Sequence, residues 1–117
     1  MARNRPSQDV LDRLKAAAGA GGWTDDQSEI APCLVEWRER WRGATPLLLK
    51  PGRVEEVAAI VRVCAETRTA LVPQGGNTGL AGGQIPAADG SEVLLSLKRL
   101  NRVRAVDAES NTMTVEA

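Results

Sequence analysis

The chain has 117 residues, 43% of them apolar and 26% charged, with Lys plus Arg equal to Asp plus Glu at 15 each. That is the composition of a single soluble globular domain with a modest core, and a zero formal charge argues against nucleic acid as the main partner, since phosphate-backbone binding rests on excess Lys and Arg. Histidine is absent, which removes the commonest general base and metal ligand, so neither triad chemistry nor a metal site is expected. No apolar run approaches the roughly 18 to 20 residues that span a bilayer, so no membrane span is expected.

The chain opens with Arg3 and Arg5, then turns polar at Ser7, Gln8 and Asp9. That pattern lacks the apolar core of a secretory leader, and two arginines are too few to read as a mitochondrial presequence. Cys33 and Cys64 form no Cys-x-x-Cys pair and read as reduced structural thiols. Together these features predict a cytoplasmic location.

Ser7 is placed to cap a first helix, with Asp9 in its first turn and Val10, Leu11, Leu14 and Ala18 on one face. Gly19, Gly21 and Gly22 end it. From Trp23 to Pro32 the chain is polar and unperiodic and predicts a loop containing a short turn of helix. A short amphipathic segment, Val35 to Trp41, follows. It sets Trp37 and Trp41 four residues apart, a spacing that suits packing in a core or interface, with cofactor stacking as the alternative.

Thr45 to Lys50 reads as a strand stopped by Pro51-Gly52. Arg53 to Thr67 is the clearest helix, with Val54, Val57, Ile60, Val61 and Cys64 on one stripe and Glu55 and Glu56 in the first turn, where they favour the positive end of the helix dipole. Thr69 to Val72 is a second strand. The resulting strand-helix-strand unit predicts parallel strands with a right-handed crossover. Further strands are expected at Val93 to Leu97, Val103 to Val106 and Thr112 to Glu116, with turns between them.

Directly after the second strand, Pro73 to Pro86 read Pro-Gln-Gly-Gly-Asn-Thr-Gly-Leu-Ala-Gly-Gly-Gln-Ile-Pro. Five glycines in nine positions suit a main chain that another group must approach more closely than a Cβ permits. The run lies at the carboxyl end of a strand, where α/β sheets bind ligands. A Walker loop needs a lysine, and none occurs from Thr69 to Leu97. The dinucleotide fingerprint would need glycine at 77, where Asn77 stands. With no nearby Lys or Arg in sequence, an anion here would be held mainly by successive main-chain N–H groups, which suits a cofactor's buried pyrophosphate. A glycine-rich turn without a ligand is the plainer alternative.

The segment Val72 to Gly83 closely resembles the pyrophosphate loop of the FAD-linked oxidases, the vanillyl-alcohol-oxidase type, and within them the D-2-hydroxyacid dehydrogenases: D-2-hydroxyglutarate and D-lactate dehydrogenase and the glycolate oxidase flavin subunit. Trp41-Arg-Gly-Ala-Thr-Pro-Leu-Leu-Leu-Lys-Pro upstream and Leu95-Ser-Leu-Lys-Arg-Leu-Asn-Arg-Val downstream extend the likeness, which covers about Val35 to Ala117. The resemblance implies an α+β fold, the N-terminal portion of a PCMH-type FAD-binding domain: a helical segment over residues 1–44, then a β-α-β unit with the glycine-rich loop and further β-strands over 45–117.

FAD is the implied cofactor. Pro73, Gln74, Gly75, Gly76, Asn77, Thr78 and Gly79 would surround its pyrophosphate. Gly82 and Gly83 would let the chain pass close beneath the flavin side, and Ser96 would lie near the cofactor in the next strand. The implied substrate is a small 2-hydroxy acid oxidised to the 2-oxo acid. The catalytic residues are expected outside this chain, which reads as an N-terminal fragment unable to turn over by itself. A binding module using the loop for another anion or partner, or a flavoenzyme for a sugar lactone or aromatic alcohol, are the rival readings.

Overall fold

A computed structural model describes residues 3–117. Helix α1 (Gln8–Ala18) starts where the Ser7 hydroxyl accepts the Val10 N–H at 3.3 Å, and it ends at Gly19, whose N–H closes on Lys15 and Ala16 carbonyls. The stretch expected to be a loop with a helical turn contains β1 (Trp23–Thr24), the four-residue helix α2 (Gln27–Ile30) and a 3₁₀ turn at Ala31–Cys33. The helical turn is as expected. The strand is not, because two residues carry no periodicity and β1 exists only through its pairing with a distant segment.

The strand expected over 45–50 shortens to β2 (Leu48–Leu49). Helix α3 (Val54–Thr67) begins after Arg53 without a side-chain cap, but the Glu56 carboxylate accepts the Gly52 N–H at 3.1 Å. It ends at Arg68 in the left-handed region, φ 53°. Strands β3 (Ala70–Gln74), β4 (Glu92–Ser96), β5 (Val103–Asp107) and β6 (Thr112–Val115) follow.

The main sheet runs β1-β2-β4-β3. Strands β2 and β3 both pair with β4 in parallel, and β1 pairs antiparallel with β2. The two strands of the strand-helix-strand unit therefore point the same way, as expected, but β4 is inserted between them. Gln74 and Ser96 are register partners at the carboxyl edge.

Both faces of this sheet are covered, and strand pleating divides the apolar runs between them. Leu47, Leu49, Val93 and Leu95 meet Leu14 and Ala18 of α1 and Ile60 and Cys64 of α3 on one side. Leu48 and Leu94 meet Ile30 of α2 on the other, with Cys33, Leu34 and Val72 packed alongside. The stripe drawn on α3 needs correction at two positions, since Val54 and Val61 are about half exposed. Val54 is the first residue of the helix, and Val61 is rotated by about 100° from Ile60, off the face that reaches the sheet.

Both cysteines are free, and burial pushes the Cys64 thiol up. No described helix is long and apolar enough to cross a membrane. The β5–β6 hairpin forms a separate two-stranded sheet in which every residue is exposed. The radius of gyration is 15.3 Å, against about 13 Å for a compact chain of this length.

Candidate functional site

Strand β3 delivers Gln74 to the carboxyl edge of the sheet, and the glycine run leaves from there. Gln74 is almost fully buried, and its Nε2 donates to the carbonyls of Cys33 at 2.9 Å and Gln84 at 3.0 Å. Asn77 holds the left-handed conformation at φ 57°. Its Nδ2 donates to the Val35 carbonyl at 2.9 Å, and its Oδ1 accepts from Gln84 Nε2 at 3.1 Å. The same Gln84 amide donates to the Gly79 carbonyl at 2.7 Å. Three amide side chains thus brace the loop from within and tie it to the segment 33–35. Outward, Gln74 and Asn77 have only main chain to offer.

The glycines divide into two groups. Gly82 has φ +83°, and a Cβ built on it would stand 2.7–2.8 Å from the Trp41 indole. A Cβ on Gly79 would stand 2.9 Å from Gln84 Oε1. Packing inside the chain thus already accounts for the lack of a side chain at Gly82, and at Gly79 a Cβ would press on the end of the Gln84 side chain. Around Gly75 and Gly83 nothing lies within 4 Å of such a Cβ, and around Gly76 only Thr78 Cγ2 at 3.9 Å. Those three glycines face open space.

Among the described residues, none of the main-chain N–H groups from Gly75 to Gly83 donates a hydrogen bond to another protein group. Successive free donors on a loop with two residues of positive φ, Asn77 and Gly82, are a main chain of the kind that can hold an oxyanion. Thr78 is exposed at the centre of the run, and Pro73 is exposed one residue before its brace. Ser96 is buried across the sheet from Gln74, with its hydroxyl accepting the Lys98 N–H at 3.4 Å. The structure therefore brings Pro73 to Gly83 and Ser96 to one edge.

Beside the loop lies a turn that periodicity does not predict. Glu36 is only 1% exposed and accepts the N–H groups of Arg38 (2.7 Å), Arg40 and Trp41 (3.1 Å). Burial by itself would push this carboxyl up. The three N–H groups outweigh it, with the nearby Arg38 charge, and hold it below the usual glutamate range. The segment read as amphipathic is bent around this carboxylate, so its indoles do not enter the core. Trp37 is 82% exposed and Trp41 52%. Trp41 lies over Gly82, while Trp37 joins Leu80, Gly76, Asn77 and Thr78 around a cavity of about 590 Å³.

Sequence reasoning missed Glu36, Gln84 and the Trp41–Gly82 contact. Gln84, an amide immediately after the last glycine, was the one legible signal among them.

Residues 45–117 match the family described as FAD binding domain. The chain belongs to that family. This FAD-binding domain is 42% identical over 114 residues to the mitochondrial D-2-hydroxyglutarate dehydrogenase of Danio rerio, covering 97% of this chain and 21% of the relative. It is 36% identical over 92 residues to a putative mitochondrial D-lactate dehydrogenase of Schizosaccharomyces pombe, covering 79% of this chain and 17% of the relative. The chain thus spans about a fifth of the length of the curated relatives it matches.

Among solved structures, alkyldihydroxyacetonephosphate synthase superposes with a TM-score of 0.77 at 20% identity, over 97% of this chain and 23% of that one. A substrate-bound p-cresol methylhydroxylase gives 0.66 at 21% identity, over 85% of this chain and 20% of that one. These superpositions show the fold, the PCMH-type α+β architecture.

The relatives correct one expectation. They are named as mitochondrial, which overturns the cytoplasmic location predicted above. The two free thiols suit any reducing compartment and so did not single out the cytoplasm.

Proposed function

We propose that residues 75–83 cradle the pyrophosphate of FAD through their main-chain N–H groups, within a flavin-dependent oxidoreductase that converts a D-2-hydroxy acid to the 2-oxo acid. The free N–H groups of the loop carry this reading. A dianionic pyrophosphate needs several donors in one concavity, and the loop has them unpaired, with open space at Gly75, Gly76 and Gly83 where side chains would block approach. The substrate class rests on the relatives, whose names specify D-2-hydroxyglutarate and D-lactate.

When bound, FAD supplies the redox chemistry by accepting the hydride from the carbon that bears the hydroxyl. The part played by this chain is placement. Asn77 and Gln74, pinned by Gln84, Cys33 and Val35, fix the loop before the ligand arrives, so little ordering cost falls on binding. Thr78 adds an exposed hydroxyl at the centre of the cradle, and Ser96 closes the edge beside Gln74.

Equilibrium dialysis of the 117-residue chain against FAD tests the cradle. The wild type is expected to retain flavin weakly. Gly76→Val, which fills the open space without meeting packed atoms, is expected to keep the wild-type circular dichroism and melting transition while losing flavin. Flavin retention by Gly76→Val equal to the wild type overturns the assignment.

A further inference from the structure

Trp37 is the most exposed large apolar side chain among the described residues, at 82%, and it stands next to the loop. An indole of this size left in water is costly to maintain by chance, because roughly 25 cal/mol is gained per Å² of apolar surface that can be covered. Its position is also held. The turn that carries it is fixed by three N–H groups on the Glu36 carboxylate, by the Val35–Arg42 bridge and by the Asn77 amide on the Val35 carbonyl.

The cavity it borders has an uneven lining. Gly76, Asn77 and Thr78 are the centre of the proposed phosphate cradle, and Trp37 and Leu80 are the apolar part. A ligand whose charged centre sits on the main chain of 75–79 therefore has an aromatic wall within the same cavity, about 590 Å³ in volume. FAD carries an aromatic ring system on each side of its pyrophosphate. The dinucleotide is thus a ligand with a planar π-surface close to the charge that the loop holds.

We infer that Trp37 is a cofactor-binding residue whose indole stacks on one of the two ring systems of FAD, with Leu80 as the opposing apolar contact. The inference rests on the pyrophosphate reading and adds to it a residue outside the glycine loop. It also gives the Glu36 turn a purpose, that of presenting an indole to the ligand. The flavin and the adenine share the required chemistry, and separate ligands distinguish them.

The test uses the full 117-residue chain labelled with 5-fluorotryptophan, whose three ¹⁹F resonances are assigned by Trp→Phe replacements. FAD, ADP and FMN are titrated separately, with dialysis run in parallel. FAD is expected to shift the Trp37 resonance saturably and to leave Trp23 unmoved. ADP shifting Trp37 identifies the adenine as the stacked ring, and FMN shifting it identifies the flavin. Trp37→Ala is expected to weaken FAD binding about tenfold, with Trp37→Phe recovering most of the loss and neither variant changing the melting transition.

FAD retention by Trp37→Ala equal to the wild type, or FAD binding without any Trp37 shift, overturns the wall and leaves the cradle standing. No retention by the wild type, at a FAD concentration where a full-length relative saturates, overturns the cradle and the wall together.

Discussion

Gly82→Ala isolates the packing role assigned to this glycine. Its φ of +83° is a region in which a Cβ costs about 1–2 kcal/mol. The new methyl would also stand 2.7–2.8 Å from the indole of Trp41, well inside ordinary contact distance. Inserting a methyl into packed surroundings typically costs about 1–3 kcal/mol, and the low end applies here because Trp41 is half exposed and can tilt outward. The sum is about 2–3 kcal/mol, or roughly an 8–15 °C lower Tm for a chain of this size.

Gly83→Ala, one residue on, has ordinary φ and open space and is expected to lie within about 0.5 kcal/mol of the wild type. In a Trp41→Ala background the clash disappears and only the backbone cost remains, so the cycle should show a coupling of about 1 kcal/mol. Urea and thermal unfolding of the five proteins, followed by circular dichroism, measure all of this. A neutral Gly82→Ala, or equal costs at 82 and 83, refutes the division of the loop glycines into packed and open.

Two further outcomes are expected. The Glu36 carboxyl is held below its ordinary range by N–H donors, so its stabilisation of the turn is fully present above the unfolded glutamate value of about 4.3 and is lost as pH falls through the lower folded value. Tryptophan emission should therefore change on acidification below about pH 4, and Glu36→Gln, whose NH₂ cannot accept, should show the acid-like emission at neutral pH; a pH-independent wild type counts against the hub. The β5–β6 hairpin exposes Val103, Val106, Met113 and Val115 and packs no residue into the core, and isolated two-stranded sheets are marginal in water. Its amides should exchange with deuterium at least about a hundredfold faster than those of β4, a difference of roughly 3 kcal/mol or more in opening free energy, and equal protection in the two would contradict that reading.

Much of the scaffold was legible because local rules sufficed for it. Ser7 caps α1 with its own hydroxyl, the stripe of α3 buries Ile60 and Cys64, and the alternation in Leu47–Leu49 and Val93–Leu95 feeds both faces of the sheet. Errors arose where one segment depends on another distant in sequence. Strand β1 is two residues that need β2, and β4 enters between strands that adjoin in the chain's own order. The Trp37–Trp41 spacing suggested a packed face because four residues make a helical turn. Instead Glu36 gathers three N–H groups and bends the segment outward, a competition between side-chain and helical hydrogen bonding that periodicity does not register.

The site shows the same division. The sequence alone determined that a glycine-rich loop, Gly75 to Gly83, leaves the end of a strand, and its resemblance together with the flanking residues placed the chain among FAD-binding domains. Only the tertiary structure decided which glycines face open space and which face Trp41 and Gln84, that the amides of Gln74 and Asn77 turn inward, and that a tryptophan from an earlier turn stands beside the loop. The reason is that vacancy and contact are properties of what surrounds a residue, and at Gly82 and Asn77 the decisive neighbours are about forty residues away in the chain.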